Sequence, residues 1–135
     1  MIFLGFDPGR DKCGLALVTN EQQILYHEVV KSEDAMASIQ ELWSKYQPDK
    51  LIIGNLTTSK QWKQKISDKL NLSEKIVFVD EKNSTLEARE RYWQMYPSKG
   101  LSRLIPQSLK VPPRPIDDIV AIILIERYIL KELRM

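Results

Sequence analysis

Apolar and polar residues are arranged along this chain in blocks that predict strands near its start, then an alternation of strands and helices. Short apolar runs bounded by glycine, asparagine or charged residues are typical of strands, and they occur at residues 2–6, 15–18, 24–30, 51–53 and 76–79. Apolar residues spaced three or four positions apart are typical of amphipathic helices, and they occur at residues 33–47, 60–70, 84–96 and 116–133. The pattern therefore predicts a mixed α/β fold.

The connections between these elements predict how the strands pair. The polar link Thr19-Asn20-Glu21 is of hairpin type, so we expect the first three strands to be antiparallel. The later strands are joined through helices, and such crossovers connect parallel strands. Two helix starts carry capping signals, because Ser32 precedes two acidic residues and Ser84 forms a capping box with Glu87. The last helix is apolar around most of its circumference, which predicts that it is the best-buried helix.

Length and composition limit what the protein can be. With 135 residues, of which 43% are apolar, we expect a single globular domain over residues 1–135. Cys13 is the only cysteine, which excludes an internal disulfide and favours a reducing, cytoplasmic environment. The longest apolar run, residues 119–125, is too short to span a bilayer, so we expect no membrane association. The net charge of +2 does not by itself indicate a polyanion partner.

Acidic residues stand at the ends of several predicted elements. Asp7 ends the first strand, Asp80 and Glu81 follow the fifth, and Asp117 and Asp118 open the last helix. Because the carboxyl ends of parallel strands meet at one edge of a sheet, we expect these carboxylates to converge there. Clustered oxygen ligands without histidine or cysteine suit Mg²⁺ or Mn²⁺. Two such ions about 4 Å apart can promote phosphodiester cleavage, so a nuclease is the leading hypothesis.

Taken singly, these residues also have ordinary structural explanations. An aspartate before Pro-Gly is common in turns, and acidic side chains are favourable in the first turn of a helix. His27 has no second histidine to act with, and Cys13 suits a small buried filler, so both are interpreted as structural.

Basic residues gather in two places, and each allows two interpretations. The segment 97–115 contains five of the seven prolines, four basic residues and no acidic residue. It is either an irregular surface loop or a basic arm that touches a phosphate backbone. The second predicted helix carries four lysines that form either a solvated face or a rim around the acidic site: Lys60, Lys63, Lys65 and Lys69.

Three short motifs resemble those of one protein family. The segments DPGRDKCGLAL, VDEKNSTLEAR and IDDIVAIILIERYIL occur in that order over nearly the whole chain. They resemble the motifs of the YqgF/RuvX family of Holliday junction resolvases, in the RNase H-like superfamily. The resemblance implies a three-layer RNase H-like fold, with a mixed five-stranded sheet and helices on both faces. It also implies a divalent-metal-dependent nuclease, with roles in pre-16S rRNA processing or junction resolution.

The resemblance also implies roles for individual residues. The catalytic and metal-binding carboxylates would be Asp7, Glu81 and Asp117, holding two Mg²⁺ or Mn²⁺ ions, and Asp118 would be an extra or substitute ligand. The partner would be nucleic acid, as structured RNA or branched DNA. Five basic residues would contact it: Lys12, Lys82, Arg89, Arg103 and Lys110.

The chain also departs from the family pattern. Lys12 and Lys82 stand where the family has arginine, which keeps the charge but loses the bidentate contact to phosphate. The family's glycine-rich segment after the fourth strand is reduced to residues 54–59. These departures predict a divergent branch with altered substrate preference.

Two other functions stay open at this point. The same departures are compatible with a non-catalytic nucleic-acid-binding or assembly module that keeps the fold. An Asp-x-Gly turn after a strand is also found in phosphate-binding domains of the actin and sugar-kinase type, although those proteins need two such domains. If the substrate is a junction, its two symmetric cuts favour a homodimer, whereas trimming an RNA end does not.

Overall fold

A computed structural model describes residues 1–55, 58–106 and 110–132 of the chain. Five strands form one sheet in the order β3-β2-β1-β4-β5. The strands β1 and β2 are antiparallel, as are β2 and β3, whereas β1, β4 and β5 run parallel. The predicted pairing is therefore confirmed. The strands are β1 (Ile2–Asp7), β2 (Lys12–Thr19), β3 (Ile24–Lys31), β4 (Lys50–Gly54) and β5 (Ile76–Val79).

Helices cover both faces of the sheet. Two hydrophobic clusters lie on its opposite faces, one built with α3 and α4 and the other with α1 and α2. This arrangement confirms the predicted three-layer α/β architecture. The helices are α1 (Ala35–Tyr46), α2 (Ser59–Leu70), α3 (Ser84–Met95) and α4 (Asp117–Glu132).

The side chains of β1 alternate between the two faces of the sheet, and this alternation decides on which face Asp7 lies. Phe3 packs in the cluster with α3 and α4, whereas Leu4 and Phe6 pack in the cluster with α1 and α2. Successive side chains of a strand point to opposite faces. Asp7 therefore lies on the face that α3 and α4 cover.

The last helix is the best-buried one, as predicted. Nine of the sixteen residues of α4 are buried, including an unbroken run over residues 118–125. The helix begins at Asp117, one residue later than predicted, and residue 133 lies outside the described residues. Among the described residues, none of the helices has the length and apolar character needed to traverse a bilayer.

Both predicted helix caps were wrong. Ser32 begins a short 3₁₀ turn, and its hydroxyl donates a hydrogen bond to the carbonyl of Gly9 at 2.9 Å. Ser84 is the first residue of α3, which starts behind Asn83 without a side-chain capping bond. Glu87 instead accepts a hydrogen bond from Arg127 at 2.6 Å. These polar groups find tertiary partners, which a local capping pattern does not reveal.

Candidate active site

Three of the predicted carboxylates converge at one edge of the sheet. Asp7 is the last residue of β1, Asp117 is the first residue of α4, and Glu81 follows β5 by two positions. The side chains of Asp7 and Asp117 are joined by a hydrogen bond, and the charge of Glu81 acts on Asp7. Asp7 is only 8% exposed. The sequence placed these residues at element ends, and the sheet topology brings them together.

A glycine in β2 lets the start of α4 approach the sheet. Gly14 is the cross-strand partner of Asp7. A Cβ atom at position 14 would overlap the carbonyl oxygen of Asp117. The helix therefore sits directly on β2, and this contact holds Asp117 beside Asp7.

A second glycine makes room for the third carboxylate. Gly54 ends β4, which lies between β1 and β5 in the sheet. A Cβ atom at position 54 would lie 2.6 Å from Oε2 of Glu81. The carboxylate of Glu81 thus rests over the end of β4, on the side of β1 where Asp7 lies.

Burial is the largest cause of a raised pKa for each of the three acids. Desolvation raises the pKa of Asp7 to about 8, with further increases from the charges of Asp117 and Glu81. Burial is also the largest cause of the raised pKa of Asp117, and nearby Lys12 opposes it. Burial and the charge of Asp80 raise the pKa of Glu81. At neutral pH, Asp7 therefore keeps its proton and donates it in a hydrogen bond to Asp117.

The residues at this edge fit a hard divalent cation. As the side chains stand, the described residues contain no group of three or more histidine, cysteine or carboxylate side chains spaced to hold an ion. All the donors here are oxygens, however, which is the set that Mg²⁺ and Mn²⁺ take. Oε1 of Glu81 is buried without a hydrogen-bond partner among the described residues. The proton shared by Asp7 and Asp117 offsets the charge that a cation would neutralise.

Asp118 has a different set of partners from its neighbour. One of its carboxylate oxygens lies 2.6 Å from Nδ1 of His27, and the other accepts a hydrogen bond from Arg114 at 3.0 Å. The residue is 2% exposed. Because both oxygens contact other side chains, these contacts support a positioning role at the start of α4. The role of an extra ligand stays a prediction.

A comparison with protein families identifies the chain. The family model RuvX, described as Holliday junction resolvase, matches residues 1–131. The chain belongs to the RuvX family. Membership supports a function in nucleic-acid processing and agrees with the three motifs that contain Asp7, Glu81 and Asp117. A search of curated protein sequences found no match for this chain.

Solved structures of resolvases share the fold of this RuvX protein. Fowlpox virus resolvase in complex with Holliday junction DNA has a TM-score of 0.69 and 15% sequence identity, covering 98% of this chain and 99% of that chain. Thermus thermophilus RuvC has a TM-score of 0.60 and 15% identity, covering 98% and 96%. A second RuvC structure from T. thermophilus, with a Holliday junction substrate, has a TM-score of 0.57 and 20% identity, with the same coverage. The fold is that of the RNase H-like resolvases.

The five predicted nucleic-acid contacts of this RuvX protein divide into two groups. Lys12 lies close enough to Asp117 to act on its pKa, and Lys82 directly follows Glu81. Among the described residues, the other three form no hydrogen bond or salt bridge with Asp7, Glu81 or Asp117. Arg89 is exposed on α3, Arg103 donates to the carbonyl of Gly100 at 3.4 Å, and Lys110 donates to Ser98 at 2.7 Å.

Sequence reasoning missed three side chains around the carboxylates. His27 and Arg114 hold Asp118, and Arg127 donates to the carbonyl of Asp80 at 2.8 Å, next to Glu81. Arg114 and Asp118 are four positions apart, a spacing that can indicate an ion pair, although Arg114 precedes the first residue of α4. His27 carried none, because its partner is 91 residues away. Residues 56 and 57 of the reduced glycine-rich segment lie outside the described residues.

Proposed function

We propose that this RuvX protein is a divalent-metal-dependent nuclease that hydrolyses phosphodiester bonds in structured nucleic acid. Asp7, Glu81 and Asp117 would be the ligands of Mg²⁺ or Mn²⁺. The observation that carries the proposal is the proton shared by buried Asp7 and half-buried Asp117. Beside them, Oε1 of Glu81 has no hydrogen-bond partner in the part of the chain that the structure describes. Three acids crowded together at a cost in free energy are typical of a site built for a cation.

The protein side chains have defined tasks in this proposal. The carboxylates of Asp7 and Asp117 would both hold the cation, and Asp7 would give up its proton to do so. Bound ions would activate a water molecule and stabilise the leaving oxygen, and this chemistry favours two ions. Lys12 and Lys82 flank the carboxylates and offset their repulsion of the phosphate backbone. Calorimetric titration with Mn²⁺ gives the number of ions.

Branched DNA is the substrate to test first. The family description is Holliday junction resolvase, and two of the solved structures with this fold hold Holliday junctions. Precursor 16S rRNA is the second substrate of the proposal. Both are nucleic acids of the cell interior, so a cytoplasmic location belongs to the same proposal.

The experiment compares cleavage of labelled four-way DNA junctions and precursor-like RNA in Mg²⁺ and in Mn²⁺. Asp7→Asn should reduce cleavage by more than about a hundredfold, because even residues that only support metal ligands contribute 10- to 100-fold. Asp11→Asn is the matched control, since Asp11 is an exposed acid in the same loop. It should cleave like the wild type, and circular dichroism checks that both variants are folded.

Either of two results would overturn the proposal. Unchanged cleavage by Asp7→Asn would remove Asp7 from the site. Salt-sensitive binding of both substrates with no cleavage in either metal would favour a non-catalytic nucleic-acid-binding module.

A further inference from the structure

A cationic groove lies next to the carboxylates at the same edge of the sheet. It extends from β1 towards β3, in the direction opposite to Glu81. Its volume is about 460 Å³, and its lining includes Lys12, His27, Lys31, Arg114 and Asp118. We infer that this groove binds the phosphodiester backbone of the substrate strand next to the bond that is cut, with Lys31 and Lys12 as its phosphate contacts. The inference rests on the proposed nuclease function and extends its binding site to β3.

The sheet places the two lysines in line with the carboxylates. β1 ends at Asp7, β2 begins at Lys12 and β3 ends at Lys31, and these strands are consecutive in the sheet. Lys12 and Lys31 are direct cross-strand partners. Neighbouring strands are about 4.8 Å apart and each residue advances about 3.4 Å, so Lys31 lies roughly 10 Å across the sheet from β1 and about 7 Å beyond the level of Asp7, which pairs with Gly14. A strand that passes the carboxylates and continues along this edge meets both lysines.

The strand periodicity also puts the groove on the correct face. Lys12 lies two positions before Gly14 on β2, so both are on the same face of the sheet. The start of α4 covers this face at Gly14. His27 and Lys31 are separated by four positions on β3, so they share one face. The contact between His27 and Asp118 shows that this face is the one under α4. The groove and the carboxylates are therefore parts of one continuous surface.

Lys12 and Lys31 are available to contact a phosphate group. Like charges directly opposite each other on neighbouring strands are destabilising, and both lysines are exposed. Neither forms a salt bridge within the described part of the chain. The acids of the groove already have partners, since Asp118 binds His27 and Arg114 while Glu28 accepts a hydrogen bond from the hydroxyl of Tyr26. A polyanion would relieve the repulsion between the lysines.

The size and lining of the groove suit a nucleotide backbone. Sites for small organic molecules have volumes of roughly 300 to 1,000 Å³, and this groove lies in the lower part of that range. Val29 and Pro115 add apolar surface beside the lysines, against which sugar rings can pack. Continuity with the carboxylates favours a nucleic-acid strand over a free phosphate ion.

The first test measures binding alone, in Ca²⁺ or EDTA, so that it does not depend on cleavage. Fluorescence anisotropy of a labelled four-way junction gives the Kd at several salt concentrations. Lys31→Ala should reduce the slope of log K against log salt by about 1, because one phosphate contact is lost. At 0.1 M salt this corresponds to a Kd weaker by about eightfold.

Two variants serve as controls. Lys45→Ala removes the same charge from an exposed lysine in the last turn of α1, on the opposite face of the sheet, and should keep the wild-type slope. Lys31→Arg keeps the charge and should restore the slope.

A second test locates the contact on the substrate. Single phosphates of the junction are replaced one at a time by uncharged methylphosphonates, and binding is measured again. One or two replacements beside the cleaved bond should weaken the wild type but have little further effect on Lys31→Ala, as expected for two partners of one contact.

The outcomes distinguish the groove from the nuclease proposal. Equal salt slopes for Lys31→Ala and Lys45→Ala, with cleavage intact, would overturn the groove alone. A methylphosphonate scan with no position coupled to Lys31 would do the same. If the salt slopes differ as expected but no substrate is cut, the groove stands and the nuclease proposal fails. If the wild-type protein binds inorganic phosphate but neither nucleic acid, both proposals are overturned.

Discussion

Asp7 is an unfavourable residue for the protein without bound cations. It is nearly buried, it faces two other acids, and the structure compensates only by letting it keep a proton up to a pKa of about 8. A structural carboxylate would be given a basic partner, as Asp118 is given His27 and Arg114. Asp7 has only other acids around its carboxylate, whereas Asp118 has a histidine and an arginine, and this contrast supports the proposal that Asp7 is a cation ligand.

We expect this difference to appear in the pH dependence of stability. In the protein without divalent ions, the free energy of unfolding should fall as the pH rises from 3.8, the value for an unshifted aspartate, to about 8. In this range the folded state still holds the proton of Asp7 while the unfolded state has released it, so rising pH favours unfolding. The stabilisation is fully present below pH 3.8 and is lost once Asp7 ionises in the folded state.

Urea unfolding in EDTA at several pH values measures this effect. Asp7→Asn should lose most of the dependence and should be the more stable protein at pH 8, because the amide carries no charge to bury. Parallel pH profiles for the wild type and Asp7→Asn would contradict the assignment.

At the scale of elements, two glycines decide where the acids lie. Gly14 lets α4 sit on β2, and Gly54 leaves space for the carboxylate of Glu81 over the end of β4. The obstacles that a side chain would meet are different at the two positions. At position 14 it is backbone of α4, whereas at position 54 it is the end of a flexible side chain.

Gly14→Ala and Gly54→Ala should therefore have different effects. Gly14→Ala should reduce the free energy of unfolding by about 1 to 3 kcal/mol or more, since α4 must shift. Gly54→Ala should reduce stability less, because Glu81 can turn away, but cleavage should fall by about 10²-fold as the carboxylate is displaced. Chemical denaturation and cleavage assays on both variants give the comparison. A fully active Gly54→Ala protein would show that the position of Glu81 does not matter.

At the scale of the whole molecule, the topology concentrates the proposed chemistry at one edge of the sheet. The ends of β1, β3, β4 and β5 and the start of β2 all lie there. The described residues bring Asp7, Glu81 and Asp117 together once per chain. Under the proposed action on junctions, resolution needs two symmetric cuts, and two copies of the chain would act on one junction.

Mixing active and inactive copies tests this requirement on a cruciform plasmid. Wild-type protein should make paired cuts and give linear product. An excess of Asp7→Asn should shift the product towards nicked circles, because most pairs then contain one inactive copy. Agarose gels separate the two forms. Linear product whose share does not change with added Asp7→Asn would contradict action in pairs.

Local sequence patterns predicted most of the secondary structure and the residues of the acidic site. The apolar runs and helical spacings predicted the five strands and four helices, because burial on one face imposes a period of two or 3.6 on a sequence. Asp7 and Asp117 were identified because they stand at element ends, where carboxylates of a parallel sheet converge. The caps at Ser32 and Ser84 failed, since the hydroxyl of Ser32 and the carboxylate of Glu87 have partners far away in the chain.

The sequence by itself determined the elements, their order and the acids at their ends, since these depend on periodicity and on position within a short segment. The tertiary structure alone decided which partners two neighbouring aspartates have. Asp117 and Asp118 are adjacent, yet the turn of α4 directs one to Asp7 and the other to His27, a partner 91 residues away. It also decided that Lys31 lies opposite Lys12, because strand register depends on the packing of the whole sheet. Contacts between distant residues have no local signature, so only the folded chain shows them.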